Sequence, residues 1–248
     1  MVARTVSTRG LVLRCIDYSE TSQIVSFFTR DEGIVDLLAK GSRRPRNASS
    51  SFSSPFDLAG WYDLVYRKRG GDLHLATEGQ LVEGFSHLRR DLECWLDANL
   101  ALEVLAKSFI RGDPHPEMLR GVLSYLKLLS VGKGRQLLRN RFLAEILTSS
   151  GVSPRWHLCQ GCMRQEGVDL VALRVPVGPI CSGCRVATDS LRDPSTFAYL
   201  ASNGAIPWDR VPAWEVAEEV IADGWDQLRA LLLDHLERPP RSLRYLRA

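Results

Sequence analysis

The stretch QIVSFFTRDEGIVDLLAK, residues 23–40, holds two apolar runs rich in β-branched and aromatic side chains, parted by Arg30-Asp31-Glu32-Gly33. So short a glycine-containing turn joins antiparallel neighbours, which makes the stretch a β-hairpin. Upstream, TRGLVLRCI (8–16) is another strand-like run, followed by the polar loop DYSETS (17–22). Downstream, FDLAGWYDLVYRKRGGDLHLATEGQLVE (56–83) reads as a second hairpin, with Gly70-Gly71 supplying the positive φ its tip needs. Five strands in so short a span suit a closed barrel, and the OB-fold is the common five-stranded solution without badly exposed edges.

From Phe85 the period changes. LRRDLECWLDANLALEVLAKSFI (88–110) places Leu88, Leu92, Trp95, Leu96, Leu100, Val104 and Leu105 on one helical stripe. Two more helical stretches follow at 113–132 and 134–151, bounded by prolines and glycines. Near residue 193, Asp193 reads as an N-cap with Pro194 at the first helical position. A last amphipathic helix is expected within PAWEVAEEVIADGWDQLRALLLDHLER (212–238), before a basic tail, PPRSLRYLRA. The expected fold class is α+β and multidomain. An OB-fold barrel occupies residues 1–82, a helical domain occupies 83–155 and 188–248, and a cysteine module is inserted at 156–187.

The chain of 248 residues is 45% hydrophobic and 25% charged, the balance of an ordinary soluble protein. No apolar run approaches the roughly 20 residues needed to span a bilayer, and no signal peptide is evident, so a cytoplasmic protein is expected. Net charge is +3, and residues 1–84 carry 11 basic against 10 acidic side chains. A polyanion site must therefore come from local clusters.

Four of the six cysteines form two Cys-x-x-Cys pairs, Cys159/Cys162 and Cys181/Cys184, separated by 18 residues. Each such turn converges two thiolates on one ion, and two turns complete the tetrahedron that structural Zn2+ prefers. Four thiolates close the coordination shell, so the metal is expected to staple the segment and not to catalyse. His157 is read as a bystander beside the first pair. Cys15 and Cys94 read as small buried hydrophobes.

Hydrolase and metalloprotease motifs are absent, and VGKGRQ (131–136) lacks the glycine and hydroxyl residue of a phosphate loop. No catalytic residues are assigned and no enzyme is expected. What stands out is AKGSRRPRNASSSF (39–52): Lys40, Arg43, Arg44 and Arg46 within seven residues, with proline and serines forbidding a helix. Arg67-Lys68-Arg69 form a second cluster at the later hairpin's tip. Cationic loops flanking one small barrel would form a groove that tracks phosphates. Phe27 and Phe28 alternate, so only one of them is expected in the core; Trp61, Tyr62 and Tyr66 divide likewise. Each reads as packing before it reads as a base-stacking platform. Lys133, Arg135 and Arg139, with Arg141, crowd a helix start, where cations oppose the helix dipole. That placement suggests a face for an acidic, apolar partner peptide.

At this point the residues resemble a known family. DYSETSQIVSFFTRDEGIVDLLAKGSRRPRNAS is similar to the amino-terminal signature of the RecO family of bacterial recombination mediators. FLAEILTSSGVSPRWHLCQGC resembles the helix before that family's first cysteine pair, and LERPPRSLRYL its carboxy-terminal end. The resemblance implies an OB-fold followed by a helical domain with a zinc module. It implies binding of single- and double-stranded DNA, annealing of complementary strands, and DNA repair and recombination in the RecF/RecR pathway. The implied partners are RecR and the C-terminal tail of the single-stranded-DNA-binding protein, with RecA as the recombinase loaded. Lys40, Gly41, Arg43 and Arg44 match the family's basic motif, and the four cysteines its zinc ligands. A reading of another class is a zinc-ribbon adaptor that binds proteins and leaves DNA alone.

Overall fold

Five strands close on one another in the order β1-β2-β3-β5-β4. They are β1 (Thr5–Asp17), β2 (Gln23–Thr29), β3 (Gly33–Ala39), β4 (Trp61–Arg67) and β5 (Leu73–Glu83). The structure is a computed structural model that describes residues 4–45, 51–129, 134–165, 167 and 169–246. Neighbouring strands are antiparallel except β3 and β5, which run parallel. This is the OB-like barrel expected from the hairpin pattern.

The barrel is filled from every strand. Val12, Val25, Phe27, Leu37, Tyr62 and Tyr66 meet inside it, and the connection before β4 adds Phe52 and Phe56. Phe56 is the keystone, edge-on to Phe27 at 5.2 Å and to Tyr62 at 4.8 Å between ring centroids. Its ring lies so close to β5 that a Cβ on Gly79 would sit 2.5 Å from Phe56 Cζ, so only glycine fits there. A bulge at Leu13 resets the alternation of β1, so that Val12 and Cys15 both face inward.

The outer face of β1–β3 is covered as well. Helix α1 (Leu92–Ser108) starts at Asp91, whose carboxylate caps the Cys94 amide at 2.8 Å. The chain leaving α1 runs along the start of β3, with Arg111 bridging to Gly33 and Ile34. Phe109 thereby packs on Phe28, ring centroids 5.5 Å apart. Leu11 and Phe28 are wholly buried although they point out of the barrel. This corrects the expectation that only one of Phe27 and Phe28 is in a core: the alternation holds, but both faces of β2 are covered. The apolar stripe of α1 is also displaced. Leu92 is 71% exposed, whereas Cys94, Asp97, Ala98 and Ala101 are buried beside Leu100, Val104 and Leu105.

The chain divides into two compact units, Met1–Leu126 with Pro240–Ser242 and Lys127–Pro239 with Leu243–Ala248. The first holds the barrel, α1 and most of α2 (Pro116–Leu129). Ser242 from the basic tail joins it, its amide and hydroxyl both donating to Glu103 Oε2 on α1. The second unit is built on α3 (Arg135–Ser149), with α4 (Pro194–Asn203) and α5 (Glu218–His235). Asp193 caps α4 through the Ser195 amide at 2.8 Å, with Pro194 first in the helix as expected. This unit also contains a sheet that the periodicity did not reveal, in the order β7-β6-β8: β6 (Leu170–Arg174), β7 (Gly178–Cys181) and β8 (Ser190–Leu191). Among the described residues no helix is long and apolar enough to cross a membrane.

Phe28→Ala should lower the free energy of unfolding by about 3–5 kcal/mol, as for an aromatic deleted from a packed core. Chemical denaturation checks it, since a solvent-facing position would change by only about 0.5 kcal/mol.

Candidate nucleic-acid interface and metal centre

The basic segment begins where β3 ends. Gly41 turns the chain with φ +78°, the region that favours glycine. Ser42 is then buried, and its hydroxyl donates to Gln23 Oε1 at 2.9 Å and to the Ala39 carbonyl at 3.2 Å. Gln23, the first residue of β2, spends its whole amide on this junction. Oε1 also accepts from the Phe56 amide at 3.0 Å, and Nε2 donates to the Phe56 carbonyl at 3.1 Å and to Cys15 Sγ at 3.1 Å. The Arg43 amide donates to Thr21 and the Arg44 amide to Gly41, both at 3.1 Å. Lys40, Arg43 and Arg44 are all exposed on this pinned turn. Arg43 meets Asp17 at 2.9 Å, but both side chains remain open to water, where such a pair leaves the cation available to a stronger anion. Lys40 and Arg44 make no ion pair among the described residues, and Arg46 lies outside them. Gln23 had no signal in the sequence, because a glutamine at a strand start looks like any surface polar residue.

The second cluster follows β4. Arg67 and Arg69 are exposed, and the Arg69 amide donates to His74 Nδ1 at 3.3 Å. Lys68 differs: it is partly buried, its amide donates to the Arg4 carbonyl at 2.9 Å, and its ammonium is paired with Glu32. Strand direction and register set where the two clusters stand. β3 ends beside the end of β1, where Arg43 reaches Asp17, whereas Arg67 at the end of β4 pairs with Thr5 at the start of β1. Register across β5 brings them nearer than β1 alone suggests: Arg67 lies opposite Leu75, which lies opposite Leu38, two residues before Lys40. Phe27 lies inside the barrel and Phe28 under Phe109, so neither ring is open for base stacking. Over β1–β3 there remains a cleft of about 520 Å³ in which Arg14 and Arg111 stand with Asp36 and Asp72. Arg111 is held by Asp36 at 2.6 Å.

Two of the four cations expected on a docking face, Arg139 and Arg141, are enclosed. Arg139 is 1% exposed, with its guanidinium 3.8 Å from the Trp225 ring centroid. Arg141 is buried, paired with Glu145 at 2.8 Å and stacked over Trp208 at 4.8 Å. Arg135 is half-buried, and Lys133 lies outside the described residues. The physical reason is that α3 is covered from Leu137 to Leu147 by its neighbours, so its basic side chains solve a packing problem against tryptophans. Leucine and arginine interleaved at helical spacing look the same in either role.

Cys159, Cys162, Cys181 and Cys184 converge, their Sγ atoms all within 4.8 Å of one another. Cys181 ends β7, and Gln160 in the first pair donates its amide to the Pro179 carbonyl at 2.8 Å, so the sheet brings the two pairs together. Met163 adopts φ +61° to close the first turn. The amides of Gly161 and Cys181 point at Cys159 Sγ from 3.4 and 3.3 Å. Burial opposes a Cys159 thiolate, but these amides and that of Cys162 overcome it and draw the thiol down to about 6. Cys184 is pushed up to about 12 by its hydrogen bonds with the thiols of Cys181 and Cys162. Protons held by four crowded sulfurs are what a soft divalent cation displaces, and the Sγ cluster is compatible with the roughly 3.8 Å edges of a tetrahedron with 2.3 Å metal–sulfur bonds. The four-cysteine set could hold a metal ion, and His157 stays outside the cluster. The second turn has its own brace. Asp189 grips Arg174 at 2.8 and 2.7 Å and the Val186 amide at 2.9 Å, while Arg174 reaches the Cys184 carbonyl at 3.2 Å. The Arg174 hydrogen bonds hold the Asp189 carboxyl down at about 2.

Comparison with known proteins adds an independent line. Residues 1–85 match the family model described as recombination protein O N terminal, and residues 89–244 the model described as recombination protein O C terminal. A protein of Desulforudis audaxviator named DNA repair protein RecO is 28% identical over 243 residues, 97% of this chain and 95% of its own. The protein of that name from Anaeromyxobacter sp. strain K is 32% identical over 181 residues, covering 72% and 70% of the two chains. The Bacillus subtilis protein of that name is 27% identical over 175 residues, 71% of this chain and 67% of its own.

Because Arg139 is enclosed, Arg139→Ala should cost about 3 kcal/mol of stability, read by thermal or chemical denaturation. A change within about 0.5 kcal/mol would return it to the surface.

Proposed function

The chain belongs to the recombination protein O family, and from that premise we propose that it is a DNA repair and recombination mediator without enzymatic chemistry of its own. It binds single- and double-stranded DNA, anneals complementary strands, and helps load the recombinase onto protein-coated single strands. RecR and the C-terminal tail of the single-stranded-DNA-binding protein are its proposed partners, in the cytoplasm at the nucleoid. The observation that carries this reading is the turn Lys40–Arg44, whose exposed cations stand on a buried Gln23–Ser42–Phe56 junction.

The mechanism is electrostatic. Two strands repel through their phosphates, and each cation that meets a phosphate releases a condensed counterion and lowers that repulsion. A turn held by internal hydrogen bonds presents its charges with little ordering cost at the moment of binding. Backbone contact of this kind is sequence-independent, as annealing of arbitrary complementary strands requires. The four cysteines would hold Zn2+, which supplies folding free energy to a small module and, with its shell closed by four thiolates, no open position for chemistry.

With four cations engaged, log K for single-stranded DNA should fall with log salt at a slope of roughly −3, about 60-fold between 50 and 200 mM. Replacing Lys40, Arg43 and Arg44 together by Glu should abolish binding in fluorescence anisotropy while the melting temperature holds. Unchanged affinity and slope in that variant would overturn the reading in favour of a protein-only adaptor. For the metal, elemental analysis should find about one zinc per chain, lost in Cys159→Ser, with the 156–187 segment then open to proteolysis.

A further inference from the structure

Alternation fixes which barrel residues face outward. Cys15, Val25, Leu37, Ala39, Tyr66 and Ala76 pack inside, so their chain neighbours Ile16, Ile24, Leu38, Leu75 and Arg67 point out. The registers join these five in one line across the barrel. Ile16 stands opposite Ile24, Ile24 opposite Leu38, Leu38 opposite Leu75, and Leu75 opposite Arg67. Apolar side chains from β1, β2, β3 and β5 thus follow one another and end on a cation of β4.

The next line lies just past the strand ends. The Tyr18 amide donates to the Ser22 carbonyl at 2.9 Å, which carries the β1–β2 pairing one residue beyond Asp17–Gln23. Gln23 also pairs with Ala39, so Lys40 follows in the line of Ser22. Tyr18 and Lys40 therefore flank the apolar line on the side of the basic turn, two strand spacings or roughly 10 Å apart. On the other side Arg14 stands opposite Ser26. Arg14, Lys40 and Arg67 are exposed and make no ion pair among the described residues. Arg43 takes Asp17, and Glu20 is the exposed acid of the same loop.

Exposure rises along β1 away from the cover of α1. Leu11 is wholly buried, Ile16 is 40% exposed and Tyr18 is 64% exposed. Of the phenylalanines, tyrosines and tryptophans described in the first unit, Tyr18 alone is exposed. Its side chain makes no hydrogen bond or ring contact among the described residues. A ring held in water beside an apolar strip has a face free for another flat surface, and the surrounding cations favour one that carries phosphate. An unpaired nucleotide supplies both.

We propose that Tyr18 is a stacking platform for a base of single-stranded DNA, with the apolar line from Ile16 to Leu75 as the floor beside it, and that this contact makes the barrel prefer single strands to duplex. The proposal rests on the DNA-binding reading above and adds what tells one strand from two. Phosphate contacts from Arg14, Lys40 and Arg67 are open to either form. A base inside a duplex is already stacked and paired, whereas a single strand can turn its bases onto the ring.

The test uses the full chain in fluorescence anisotropy at 0.1 M salt, with a single strand of about ten nucleotides, its duplex, and the same strand lacking all bases. Tyr18→Ala should weaken the single strand about 5- to 150-fold, the worth of one stacked base, and leave the duplex within about twofold. Tyr18→Phe keeps the ring face and should bind as the parent does. The salt slope should not change in Tyr18→Ala, since no phosphate contact is lost, whereas Lys40→Gln should weaken both forms and lower the single-strand slope by about 0.7. The strand without bases should bind the parent and Tyr18→Ala equally. Melting temperatures equal to the parent's show that the variants fold. A Tyr18→Ala variant that binds as the parent does, or that weakens single strand, duplex and base-free strand by one common factor, overturns the platform and leaves DNA binding standing. A parent that binds neither single strand nor duplex overturns the DNA reading itself.

Discussion

The side-chain amide of Gln23 is the interaction on which the candidate interface depends. It joins three segments distant in sequence: the start of β2, the turn after β3 through Ser42, and the connection before β4 through Phe56. Each bond is worth only about 0.5–1.5 kcal/mol net, but a buried amide that lost a partner would cost about 1–3 kcal/mol. That asymmetry makes the junction nearly all-or-none. It holds the basic turn out from the barrel, and it seats Phe56 where the ring can fill the interior against Phe27 and Tyr62. Core and charged surface are therefore set by the same few bonds.

Covering the outer face of β1–β3 with α1 and the chain that follows it has an equally broad effect. It buries Leu11 and Phe28, and it removes part of the strand face that an OB-fold can offer to a ligand. The register places Arg67, at the end of β4, opposite Leu75 and through it Leu38, two residues before the basic turn. Function on such a body is carried by loops on a rigid support.

In the second unit the same residue types serve the interior. Arg139 and Arg141 lie over tryptophan rings, and an arginine stacked in this way supplies packing area together with charge. The cysteine module is arranged similarly from within. Amides point at Cys159, and Arg174 with Asp189 fixes the second turn, so a short segment with few apolar residues is ordered by hydrogen bonds around its sulfurs. Two separate devices, cation on indole and thiol cluster, replace part of what a larger apolar core would do.

Much of this was legible in the chain. Alternation and turn residues located five strands, the change of period at Phe85 located the helices, Asp193-Pro194 marked a helix start, and the spacing of four cysteines showed that they meet. These signals are local: each depends on residues a few positions apart whose periodicity or spacing is itself the physical cause. Which cations are available was not legible. Lys68 is taken by Glu32 and Arg139 by Trp225, because partners far along the chain decide both. A charge in sequence shows only its sign; whether it faces water, a carboxylate or an aromatic ring is set by strand direction and by which helix lies over which sheet.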